Sequence, residues 1–259
     1  MAGTRFTDVR RFDTIDSTNR YLLDEARRGA PEGVVAVADH QEAGRGRLGR
    51  RWEAPPGANL LVSVLLRPDL PPASRHLASA VVALAAADAV DAVAGLATGL
   101  KWPNDLLGPD GRKLAGVLAE ADLGAAAGPA RPPVVVGIGI NVAWPARLDD
   151  LPPELTTTAT SLALETGHPV DRSALLDALL DALEPRVADL STPTGRARQA
   201  ADLRARCVTL GAAVRVELPD ASFEGTAADV TDEGHLVVDT PDGRRTVVAG
   251  DVVHLRPLR

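Results

Sequence analysis

The sequence predicts an α+β protein in two unequal parts, residues 1–207 and 208–259. Up to Cys207, helix-type patterns are interspersed with short apolar strands. After it, five short strands follow one another, punctuated by Asp-Glu-Gly and Pro-Asp-Gly turns, which reads as a small all-β barrel of about fifty residues. The length of 259 residues suits one sizeable domain plus a small one and can bury a core without staples.

Each element has a local reason. Asp16 or Ser17 caps a helix running to about Arg28, stopped by Gly29. Residues 33–39 read as a buried strand, residues 41–57 as a polar, glycine-rich loop, and residues 59–66 as another strand. Ser74 opens a long helix to about Val93 with small residues along a buried stripe. Short extended pieces flank Pro103. The Pro109-Asp110-Gly111-Arg112 turn feeds a strand over 113–121. Residues 124–133 form a small-residue loop, 133–142 a nearly continuous apolar strand, and 171–190 and 196–206 helices. The barrel strands fall near 213–217, 222–230, 235–239, 244–248 and 252–254.

Composition excludes several classes. A net charge of −7 argues against a dedicated duplex-DNA binder, which needs a concentrated basic face. One cysteine, Cys207, permits neither an internal disulfide nor a cysteine-rich zinc site and suits a reducing, cytoplasmic setting. No signal peptide is visible, and the apolar stretch Leu77–Val90 reads as too short to cross a bilayer. The five histidines are scattered, form no ligand pair, and are expected to be surface or satisfied residues.

Against twenty-six arginines stand two lysines, Lys101 and Lys113. Where lysine persists in such a chain, a compact ammonium rather than a planar fork points to a site that meets an oxyanion or phosphate. Gly44-Arg45-Gly46-Arg47-Leu48-Gly49 matches the dinucleotide fingerprint letter for letter, but Pro55 and Pro56 preclude the helix that the fingerprint requires. The segment reads instead as an anion loop: three glycines allow close approach, and Arg45, Arg47, Arg50 and Arg51 offer forks to phosphate or carboxylate. In Trp102-Pro103-Asn104-Asp105, the polar pair either closes a rigid turn or faces the lysines' pocket. Gly137 and Gly139 weaken an apolar strand, so either a bulge or a ligand pressed on the backbone explains them. Asn141, at that strand's end, would face the same ligand or a metal-bound phosphate. Asp16-Ser17-Thr18-Asn19 is first a helix cap, whose free N–H groups can also meet a ligand.

Taken in order, Asp16-Ser17-Thr18-Asn19, Gln41 to Trp52, Lys101 to Asp105, Lys113 to Leu118, Gly137 to Val142, Ala159 to Leu162 with Glu165 and Gly167, and the terminal Ala249-Gly250-Asp251-Val252 resemble the biotin protein ligases. Any one piece is weak; the ordered set covers nearly the whole chain. The Ser-Thr-Asn triplet begins at residue 17, where members with an N-terminal DNA-binding domain have far more chain, so the resemblance is to the monofunctional kind. It implies a mixed sheet flanked by helices, like class II aminoacyl-tRNA synthetase cores, with an SH3-like C-terminal barrel. It implies ATP, biotin and Mg²⁺ as ligands, a biotin carboxyl carrier domain of a biotin-dependent carboxylase as partner, neither DNA nor membrane, and a monomer or weak homodimer.

By the same resemblance, Lys113, Arg47 and Asp105 are the catalytic candidates. Lys113 would stabilise charge between carboxylate and α-phosphate, Arg45, Gly46 and Arg47 would close over the ligand, and Asp105 would orient or deprotonate the carrier lysine. Ser17, Thr18, Asn19 and Gln41 would line the ureido head. Trp52 would pack on the adenylate or anchor its loop, Trp144 would cover adenine, and Gly116, Gly139 and Asn141 would border the adenylate, with Asn141 a candidate Mg²⁺ contact. Rival readings are a lipoate or octanoate ligase of the same superfamily and a non-catalytic nucleic-acid-binding protein.

Overall fold

The computed structural model describes residues 5–121, 131–218, 220–248 and 250–255. Most of the small-residue loop expected over 124–133 lies outside them. The first part is a seven-stranded mixed sheet in the order β1-β2-β3-β7-β6-β5-β4. The strands are β1 (Val9–Ile15), β2 (Val35–Gln41), β3 (Leu60–Leu66), β4 (Gly99–Lys101), β5 (Asp105–Leu107), β6 (Lys113–Ala121) and β7 (Val134–Ile140). Only β1 and β2 run parallel, because helix α1 (Thr18–Arg27) crosses between them; the remaining pairs are antiparallel. Strand β1 was not anticipated: its Val-Arg-Arg-Phe-Asp-Thr-Ile run lies at the sheet edge and is only partly buried.

The two faces are covered unequally. On one, α1 seats Leu22 and Ala26 on Val34, Ala36, Leu65 and Val135. On the other lies α2 (Leu77–Ala94), itself overlaid by α4 (Arg172–Asp189) and α5 (Pro193–Arg206); the short α3 is Leu162–Thr166. Covered on both sides, α2 is buried nearly all round and not along one stripe, as the sequence had suggested. Residues 72–94 are in fact long and apolar enough to cross a membrane by length and hydropathy, contrary to the expectation for Leu77–Val90. Burial inside the core accounts for that apolarity.

The C-terminal part is a five-stranded antiparallel sheet, β11-β10-β9-β8-β12, formed by β8 (Ala213–Glu217), β9 (Ser222–Val230), β10 (Leu236–Thr240), β11 (Gly243–Val247) and β12 (Asp251–His254). Among the described residues its end strands β11 and β12 do not pair, so the expected barrel is incompletely closed. Val214, Val216, Leu236 and Val252 belong to the same apolar cluster as α2 and the large sheet, so the two parts share one core. At their seam the Trp102 indole donates to the Gly234 carbonyl (3.0 Å), and the Thr209 hydroxyl accepts from the Trp102 backbone N–H (3.0 Å). Two histidines there depart from the expectation of satisfied side chains. His76, whose ring lies 5.5 Å from that of Trp102, and His235 each bury an Nε2 with no hydrogen-bond partner. Burial, with His235 and Arg47 nearby, lowers the His76 pKa to about 4.

Candidate active site

The register of the large sheet assembles the site. Leu61 pairs with Gly139, Gly139 with Gly116, Gly116 with Asp105, and Asp105 with Lys101. Laterally paired residues share a face, so these five form one row across the sheet on the α1 side. A β-bulge between β5 and β6 leaves Leu114 as an extra residue and brings Lys113 onto this face. There its ammonium lies 2.7 Å from the Asp105 carboxylate, an ion pair whose geometry does not align a hydrogen bond to that oxygen.

The glycines keep this row flat. A Cβ on Gly139 would come within 2.6 Å of the Trp52 indole, and one on Gly116 within 3.1 Å of both Trp52 and Lys113. Two residues back along β7, on the same face, a Cβ on Gly137 would come within 2.3 Å of the Asn19 amide oxygen. What presses on this backbone is the chain's own Trp52 and Asn19, and no bulge is involved at either glycine. The Lys113 ammonium stands 5.5 Å from the centre of the Trp52 ring, within cation–π range, and the indole Nε1 is buried without a partner.

At the N-terminus of α1, Ser17 caps the helix, and Thr18 and Asn19 are buried. The Gln41 amide oxygen, at the end of β2, accepts from the Thr18 backbone N–H (2.8 Å) and hydroxyl (3.0 Å). Ser63 meets the Thr18 hydroxyl at 2.7 Å and donates to the Asn19 oxygen at 2.6 Å. The Asn19 NH₂ donates to Glu120 (2.7 Å) and the Leu118 carbonyl (3.2 Å). Sequence reasoning missed Ser63 and Glu120. The one polar residue inside Leu-Leu-Val-Ser-Val-Leu-Leu was the available signal for Ser63.

The arginine loop is a closed turn: the Gly46 N–H donates to the Arg50 carbonyl (2.7 Å) and the Trp52 N–H to Gly44 (3.0 Å). Leu48 at its tip adopts a left-handed φ of 56° and is exposed. Arg47 donates to Asn104 (3.0 Å) in the Trp102–Asp105 turn and to the Gly250 carbonyl (2.8 Å) of the C-terminal part. Arg45 and Lys101 have no carboxylate partner among the described residues. Asn141 is engaged internally: its NH₂ donates to the Thr160 carbonyl (2.8 Å) and its oxygen accepts from Asn59 (3.1 Å). That ties the end of β7 to the loop before α3 and leaves little of its side chain for a metal.

All the expected site residues nevertheless border one cleft of about 670 Å³, from Ser17, Thr18, Asn19 and Gln41 at one end, past Arg45, Gly46, Arg47 and Trp52, to Asp105, Lys113, Gly116, Gly139 and Asn141. Lys101, Trp144 and, from the C-terminal part, Glu217 and Asp251 border it too. That volume is in the range of sites that enclose a small organic ligand. The arrangement offers a neutral, hydrogen-bonding end, a flat aromatic floor and a cationic middle, which suits a molecule with a polar head and an anionic tail.

Comparison with known proteins agrees with this geometry. Residues 11–141 match the biotin/lipoate A/B protein ligase family, and residues 209–255 match the biotin protein ligase C-terminal domain. A biotin–[acetyl-CoA-carboxylase] ligase of Mycobacterium tuberculosis is 44% identical over 249 residues, covering 93% of this chain and 86% of that one. The bifunctional ligase/repressor BirA of Bacillus subtilis is 33% identical over 240 residues, 93% of this chain and 72% of that one. The biotin protein ligase of Aquifex aeolicus, solved in complex with biotin and ATP, superposes with a TM-score of 0.80 at 26% identity, covering 97% of this chain and all of that one. The chain therefore belongs to the biotin/lipoate A/B protein ligase family, among its biotin protein ligases.

Proposed function

We propose that this chain joins biotin to ATP and then transfers the biotinyl group to one lysine of a biotin carboxyl carrier domain. In the first step a biotin carboxylate oxygen attacks the α-phosphorus, the bond to the leaving pyrophosphate breaks, and biotinyl-5′-adenylate forms. In the second, the carrier lysine amine attacks the acyl carbon, the acyl–phosphate bond breaks, and AMP leaves.

The polar end of the cleft carries the choice of biotin. Three oxygen–oxygen contacts link Gln41, Thr18, Ser63 and Asn19, yet the two hydroxyls supply only two protons. The cluster is one donor short, so it favours a ligand that brings N–H groups. A ureido ring has two; the dithiolane of lipoate has none. Buried polar sites of this kind discriminate by roughly 10⁴ against ligands lacking the matching groups.

The carboxylate and the α-phosphate repel each other, so the cationic middle does the chemical work. Lys113 exchanges Asp105 for the oxygens at the attacked phosphorus and stabilises their growing charge. Arg45 and Lys101, free of carboxylates, hold the anions. Trp52 offers its face to the adenylate across the glycine floor. Asp105, released from Lys113, orients or deprotonates the incoming amine. Among the described residues no cluster of three or more His, Cys, Asp or Glu could cage a metal. That suits Mg²⁺ carried on the phosphates, where it would neutralise phosphate charge with water completing its shell.

The test is direct. Purified protein with biotin, ATP and Mg²⁺ should release pyrophosphate and accumulate biotinyl-5′-adenylate, and a carrier domain should then become biotinylated. Use of lipoate or octanoate in preference to biotin would overturn the reading.

A further inference from the structure

The arginine loop is gripped from the far end of the chain. Asp251 opens β12, pairs in register with Glu217 of β8, and has a side chain only 14% exposed. Its carboxylate contacts the Arg50 guanidinium through one oxygen and lies 3.5 Å from Arg47 through the other. The preceding Gly250 presents its carbonyl to Arg47 at 2.8 Å. Arg47 thus bridges three chain segments: its own loop, Asn104 of the catalytic turn, and the C-terminal sheet.

This divides the cationic residues into two groups. Arg45 and Lys101 line the cleft without carboxylate partners and face the ligand's anions. Arg47 and Arg50 are held side by side by one carboxylate. With Asp251 uncharged, two guanidiniums at the loop tip would repel each other with no carboxylate between them, and the Gly250 carbonyl alone would hold the loop to the C-terminal part.

We infer that Asp251 is a positioning residue for the reaction: it clamps the arginine loop over the cleft, so that the C-terminal sheet governs how long the adenylate is retained and shielded from water. The inference rests on the adenylating function proposed above. A clamp of this kind acts on escape and nucleotide binding more than on the chemical step, because it sets how readily the loop opens and touches none of the reacting atoms.

The experiment uses the full chain, the single variants Asp251→Asn, Asp251→Glu and Arg50→Met, and the double variant Asp251→Asn/Arg50→Met. Biotinyl-5′-adenylate is formed on the enzyme without carrier, and its release and hydrolysis are followed after unlabelled biotin is added; KM and kcat for ATP and thermal melting are measured alongside. Asp251→Asn should speed release by about tenfold and raise the KM for ATP severalfold, with kcat nearly unchanged. Asp251→Glu should restore most of the loss. Arg50→Met, which breaks the same pair from the exposed loop side, should act in the same direction, and the double variant Asp251→Asn/Arg50→Met should be no worse than the worse single one. Release within twofold of the parent protein, additive effects in the double variant, or a fall in kcat with unchanged release would each overturn the clamp. A parent protein that makes no adenylate at all would instead refute the function on which the clamp depends.

Discussion

Gly137→Ala probes the site through a single methyl group. The new Cβ would lie 2.3 Å from the Asn19 amide oxygen, 3.0 Å from its Cγ and 3.1 Å from the Ser63 hydroxyl. Ordinary contact begins near 3.4 Å, so the amide must retreat by about 1 Å. It is a short side chain held at both ends, by Ser63 at 2.6 Å, Glu120 at 2.7 Å and Leu118 at 3.2 Å, and it cannot retreat with those bonds intact. Two neutral bonds at roughly 1 kcal/mol each and one to a carboxylate at roughly 1.5–3 kcal/mol bound the loss at about 3.5–5 kcal/mol. Shared between folding and ligand binding, that predicts a biotin dissociation constant raised by about 10- to 100-fold and a modest fall in melting temperature. Isothermal titration with biotin and thermal unfolding measure the two shares. Asn19→Ala supplies the control: once the amide is gone, adding Gly137→Ala should weaken biotin binding no further. Unchanged biotin affinity in Gly137→Ala, or additive losses in the double variant, would refute this account of the glycine.

Lys113→Ala should slow adenylate formation by roughly 10²–10³, read as pyrophosphate release in a single turnover. Asp105→Ala should slow transfer to the carrier domain by roughly 10² and adenylation by much less; equal losses in both steps would mean that Asp105 serves only to hold Lys113. His76 makes stability depend on pH. Its pKa falls from 6.5 in the unfolded chain to about 4 in the fold, so between those values the unfolded chain binds the extra proton and stability declines as the pH drops. At pH 5 the loss relative to pH 7.5 is about 2 kcal/mol, measurable by urea denaturation, and His76→Phe should remove that part of the pH dependence.

The sequence showed where the chemistry lies better than how it is supported. The two lysines, the arginine loop and the helix start are local signals, and each lands on the same cleft. Gly137 and Gly139 were legible as anomalies in an apolar strand. What fills the space above them depends on Asn19 and Trp52, which come from distant stretches of chain. Ser63 carries no spacing signature, since its partners Thr18 and Asn19 come from α1, distant in sequence. All-round burial of α2 could not be read from its alanines, because small residues suit one covered face as well as two. The bulge at Leu114 and the unsatisfied histidines depend on tertiary packing that no periodicity encodes.

Trp102 is fastened on its indole side by Gly234 and on its backbone side by Thr209, one residue before the proline of the Trp102–Asp105 turn. A chimera that borrows everything after Cys207 from a relative must therefore import a carbonyl and a hydroxyl at these two points, or it will loosen the segment that carries Lys101 and Asp105. Segment exchange among such enzymes is in this way restricted to partners whose seams already fit, and the terminal sheet is inherited together with the chemistry it braces.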